Sequence, residues 1–177
     1  LARLKLHSIH EISPGAFILE VRDNEAFPVP VIHPYLFPSL PINHPELHET
    51  WARERVEKVE RRFRDIRAME LKPDFICVGG SGTLVFQSLD IFKQLAFPAV
   101  NRAIELATEL GLPTHIHSCG PETELVKLMA EETNLTIIDP LEVPPMGDCN
   151  LKELKELYGD KIILKGNLHT TEVMLNA

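Results

Sequence analysis

From Asp74 onward the chain alternates short apolar runs with longer helical patterns, and few folds satisfy that order. The runs are Asp74–Val78 (DFICV), Thr114–His117 (THIH), Leu135–Ile138 (LTII) and Lys161–Lys165 (KIILK). Between them lie a helical pattern from about Asp90 to Leu110, stopped by Gly111-Leu112-Pro113, then one from Pro121 to about Glu132, then Leu151–Tyr158. A last helix is expected to start near Thr170. Short continuous apolar strands separated by helices imply parallel strands covered on both faces and joined by right-handed crossovers. A doubly wound open sheet and an arc of an eightfold β/α barrel both meet that description. With Ala16–Val21 (AFILEV) as a further strand, about five of a barrel's eight βα units are present; a closed barrel typically takes about 250 residues. The chain has 177, begins at Leu1 and stops inside a helical pattern. The expectation is therefore one domain over residues 1–177, an incomplete β/α barrel and a piece of a longer chain. With open strand edges and apolar inner faces, it is not expected to be a stable monomer by itself.

Residues 1–70 read as an irregular or lid-like segment followed by a long helix, and residues 71–177 as the regular βα units. Phe27–Pro45 holds six prolines, which excludes a helix or a central strand there. His44-Pro45-Glu46 then opens a helix to about Met69, with Trp51, Val56, Val59, Phe63 and Ile66 forming one apolar stripe. Its basic residues between Arg53 and Arg67 alternate with Glu54, Glu57, Glu60 and Asp65, as on a solvated helix face. The net charge of −8 argues against a nucleic-acid surface. No apolar run approaches the roughly 20 residues of a membrane span, and Leu1–His10 lacks the apolar core of a secretory signal. Three cysteines without disulfide spacing suggest a reducing cytoplasm.

In parallel α/β sheets ligands bind at the C-terminal ends of the strands. Those ends here carry Gly79–Thr83 (GGSGT), His117 and Cys119, Asp139 and Glu142, and Asn167 and His169. Strand alternation puts His115 and His117 on one side and Ile116 on the other, and Cys119 shares their parity. A His-x-Cys pair at a strand end has the donor chemistry and spacing to hold zinc. Each residue also has a plainer reading, as a hydrogen-bonded core histidine and a small hydrophobe. The GGSGT loop, with Gly80 and Ser81, has backbone N–H groups for an anion but neither the lysine of a P-loop nor dinucleotide spacing, so it also reads as a simple turn. Asp139, Glu142, Asn167 and His169 are candidate substrate contacts as well as turn residues. Cys77 lies within an apolar run. Cys149 is the remaining cysteine placed as a further ligand candidate.

The segments HIHSCG at 115–120, IDPLE at 138–142 and KGNLHTTEVML at 165–175 resemble the uroporphyrinogen decarboxylase family over roughly the last hundred residues. The resemblance implies a (β/α)8 TIM barrel, commonly a homodimer. Within the family, cobalamin-dependent methyltransferases use a His-x-Cys pair and a later cysteine to hold zinc, which activates a thiol for methyl transfer. His117 and Cys119 match the pair, and the third ligand is expected beyond the last residue of this chain. The implied function is zinc-dependent methyl transfer between a corrinoid, carried on a partner protein, and a thiol or methylated substrate. The alternatives are decarboxylation of uroporphyrinogen in porphyrin biosynthesis, whose N-terminal motif has no match here, and a non-catalytic module binding a tetrapyrrole or corrinoid protein.

Overall fold

A computed structural model describes residues 5–13, 16–22, 48–79, 83–84, 88–169 and 173. The chain divides into two compact units, Leu1–His44 and Pro45–Ala177. In the first, β1 (Lys5–Ser13) and β2 (Ala16–Arg22) form an antiparallel hairpin. The expected strand at Ala16 is present, but it pairs with β1 and does not belong to the parallel sheet. The reason is local: Pro14-Gly15 leaves a connection too short for anything but a hairpin. The proline-rich stretch read as a lid lies outside the described residues.

The second unit is α/β. Its parallel sheet has the order β3 (Ile76–Gly79), β4 (Thr114–His117), β5 (Ile137–Asp139) and β6 (Ile163–Leu164), so spatial order follows chain order with no reversal. Five helices are described: α1 (His48–Ala68), α2 (Leu89–Leu95), α3 (Phe97–Glu109), α4 (Thr123–Glu132) and α5 (Leu151–Tyr158). The pattern read as one helix over 90–110 is two. Pro98 has no N–H to continue the hydrogen-bond ladder from α2 and fits the first turn of a new helix instead. Gly111, at φ +69°, ends α3 in a Schellman motif: its N–H donates to Thr108 O, and that of Leu112 to Ala107 O. Asn150 caps α5 by accepting the Glu153 N–H. The last expected helix falls almost wholly outside the described residues.

Helices cover one face of the sheet. Ile116 and Ile138 pair across β4 and β5, are fully buried, and pack with Phe92, Ile104, Leu125 and Met129 from α2, α3 and α4. A second cluster joins Phe63 of α1 to Ala103, Leu106 and Ala107 of α3. The other sheet face is more open: Cys77, Phe75 and Ile163 are exposed and Ile137 is half-buried. On that face the strand ends bring chemistry together.

Candidate functional site

Inter-strand register builds the site. His117 stands beside Asp139, and Ile137 beside Ile163, so two residues further along Asp139 and Lys165 are neighbours too. The Asp139 carboxylate is the hub. Its Oδ1 accepts from His117 Nδ1 at 2.7 Å and faces His115 Nε2 at 3.1 Å, while Oδ2 accepts from Lys165 Nζ at 2.5 Å. The Asp139 side chain is only 9% exposed. Burial by itself would raise its carboxyl, but the hydrogen bonds from Lys165 and His117 and the adjacent His115 outweigh it and hold the group below its ordinary value. An ionised Asp139 can only accept, which makes His117 Nδ1 the protonated nitrogen of the neutral ring and leaves Nε2 with its lone pair. That Nε2 lies 3.3 Å from Cys119 Sγ. His115 is further steadied by the edge of Phe75, with ring centroids 6.2 Å apart.

Cys119 is carried on the loop between β4 and α4, and that loop is stitched to the one after β5. The Ser118 N–H donates to Asp139 O at 2.8 Å. Glu142 Oε2 accepts the Gly120 N–H at 2.6 Å. Glu122 Oε2 accepts the Leu141 N–H, also at 2.6 Å. Asp148 Oδ1 accepts the N–H groups of Glu122 and Thr123, capping the start of α4. Gly147 permits the approach, since a Cβ there would stand 2.6 Å from Gly120 O and overlap Glu142 O. Leu141, fully buried, adopts φ +60° to complete the turn.

The candidates read from sequence separate into groups. His117, Cys119 and Asp139 come together directly. Glu142 lies one loop away with its carboxylate committed to the Gly120 amide. Asn167 and His169 are half-buried on the segment that follows Lys165. Cys149 belongs to the apolar core, next to Thr123 and Asp148, and burial and the Glu122 carboxyl push its thiol up to about 11. Gly80 and Ser81 lie outside the described residues. Lys165 and His115 join the site although neither was named as a ligand; strand parity already puts His115 on the side of His117, whereas Lys165 needs the register.

The donor pair fits zinc in part. Two ligands of one tetrahedral zinc, at ordinary Zn–N and Zn–S lengths, stand about 3.5 Å apart. His117 Nε2 and Cys119 Sγ stand 3.3 Å apart. The carboxylate on the other ring nitrogen is the usual second partner of a zinc-binding histidine. Among the described residues no group of three or more His, Cys, Asp and Glu side chains is placed to hold a metal. Among them, too, no helix is long and apolar enough to cross a membrane. Comparison with protein-family models, curated proteins and solved structures finds no match for this chain.

Proposed function

We propose that the chain is part of a β/α barrel of the uroporphyrinogen decarboxylase type and that it serves zinc-dependent methyl transfer between a corrinoid and a thiol or methylated substrate. The observation that carries the reading is Cys119 Sγ facing His117 Nε2 while Asp139 holds Nδ1. The sequential order of the four parallel strands, with helices on one face and an open opposite face, supports the barrel. In this reading His117 and Cys119 are two of the metal's ligands. Bound there, zinc supplies a Lewis acid that keeps a substrate thiol ionised at neutral pH. Asp139 keeps the His117 proton on Nδ1 so that Nε2 remains a donor to the metal. Lys165 neutralises Asp139 and holds its position. The corrinoid arrives on a partner protein, and the working form is a homodimer.

The test is zinc content by elemental analysis, in the protein and its Cys119→Ser variant, together with methyl transfer from methylcobalamin to a thiol. Stoichiometric zinc that is lost in the variant, with loss of transfer, is the expected result. Zinc-free protein with no transfer rejects the reading, and turnover of uroporphyrinogen by such protein selects the decarboxylase instead. The same succession of thiol, imidazole and carboxylate favours one second reading, a metal-free cysteine nucleophile. Rapid carboxymethylation of Cys119 in zinc-free protein distinguishes it.

A further inference from the structure

Glu122 stands outside the chemistry described so far, yet among the described residues it is the carboxyl most removed from ordinary conditions. It has no accessible surface. One carboxyl oxygen accepts the Leu141 N–H at 2.6 Å, and the other has no hydrogen-bond partner among the described residues. The titratable groups acting on it are Asp139 at the end of β5 and Glu142, Asp148 and Cys149 in the loop that follows. Asp139 is matched by His117, His115 and Lys165. Glu142 and Asp148 are spent on backbone N–H groups. A further negative charge would be buried among carboxylates, and the Leu141 amide offsets only part of that cost.

The connectivity joins this acid to the site. Glu122 fixes Leu141, Leu141 is followed by Glu142, and Glu142 fixes Gly120, which is next to Cys119. We propose that Glu122 is a positioning residue that acts as the neutral acid: closing the β5–α5 loop onto the β4–α4 loop takes up a proton on Glu122 and so sets Cys119 against His117. The inference rests on the reading of His117 and Cys119 as the working pair. Burial first, and then the Asp139 and Glu142 charges, raise the Glu122 carboxyl from 4.5 to about 8, against the opposing pull of the nearby backbone N–H groups of Leu141 and Glu142. In the open loop the group is solvated and titrates in the ordinary range. Opening is therefore favoured progressively as pH climbs from about 5 to about 8 and no further above that, with a slope of up to about tenfold in the opening equilibrium per pH unit.

The experiment is amide hydrogen exchange at Gly120 and Leu141 across pH 5 to 9, corrected for intrinsic exchange, in the full protein that carries this chain and in its Glu122→Gln and Glu122→Ala variants. Protection in the unaltered chain is expected to fall by about tenfold per unit up to about pH 8 and then level. Glu122→Gln, a permanently neutral shape-matched side chain, is expected to show no such slope. Cobalt(II) titration, read by the thiolate-to-metal absorption, tests the link to the pair: affinity should fall by about tenfold or more in Glu122→Ala and recover in Glu122→Gln. Protection independent of pH in the unaltered chain overturns the proposal, as does equal cobalt affinity in the alanine and glutamine variants. If Glu122→Gln fails to fold, the pH profile of the unaltered chain still decides. If cobalt binds to none of the proteins, the metal reading fails while the exchange data still judge the proton uptake.

Discussion

Replacing Asp139 by asparagine (Asp139→Asn) tests the site at its hub. The substitution keeps the shape of the side chain and removes its charge. The new amide oxygen can still accept from His117 Nδ1, so one hydrogen bond survives as a neutral-acceptor bond, weaker by about 1 kcal/mol. The new amide nitrogen would face Lys165 Nζ, donor against donor, and that contact is lost. Lys165 is 63% exposed and turns into water, which limits this loss to about 1 kcal/mol. The surviving oxygen still faces His115 Nε2 but without its charge, which adds a smaller amount. The total is about 1.5 to 3 kcal/mol of unfolding free energy at pH 7. The sign with pH follows from the lowered Asp139 carboxyl, whose stabilisation is present above the ordinary aspartate range and is lost as pH falls through its folded value. Urea unfolding at pH 7 and at successively more acidic values measures both quantities. The gap between the two proteins should close in acid. A gap under about 0.5 kcal/mol at pH 7, or one that does not shrink in acid, refutes the assignment of Asp139 as an ionised hub. With metal, the same variant should lose about 10- to 100-fold in zinc affinity, as second partners of metal-bound histidines typically do.

Glu122→Gln should raise stability at pH 7 to 8 by roughly 3 kcal/mol and match the parent near pH 4, because a carboxyl raised from 4.5 to about 8 stabilises the fold only while protonated; chemical unfolding across that range checks it. Gly166→Ala should cost about 2 to 4 kcal/mol in the same assay, since φ is +143° and a Cβ would overlap the Pro140 carbonyl oxygen. Thiol titration of the native protein should find Cys77 reactive and Cys149 inert until denaturant is added, as expected of a buried thiol pushed up to about 11.

Most helices and strands from residue 48 on are legible in the sequence because their cues are local; the break between α2 and α3 is not. Leu151–Tyr158 and Thr114–His117 fall where apolar spacing puts them, and the α3 stop follows from glycine and proline at its end. The hairpin strand β1 is not legible: its apolar residues Leu6, Ile9 and Ile12 recur every three positions, and two register shifts break the alternation by which a strand is recognised. Glu122 invites the opposite error. Next to Pro121 and Glu124 it reads as a solvated charge at a helix start, whereas the loop from Pro140 to Cys149 closes over it.

Which residues share a side of a strand can be read from the chain alone, because that period is a property of the backbone; hence His115, His117 and Cys119 align on paper. The alternation that yields a parallel α/β sheet is legible in the same way. The row of His117, Asp139 and Lys165 across three strands is not, and neither is the sealing of Glu122 beneath a loop from another βα unit. Both emerge in three dimensions. Register between strands far apart in sequence is set by how Ile116, Ile138 and their helix partners pack, and burial of a charge by which loop comes to rest upon it. Neither is a property of any local stretch of chain.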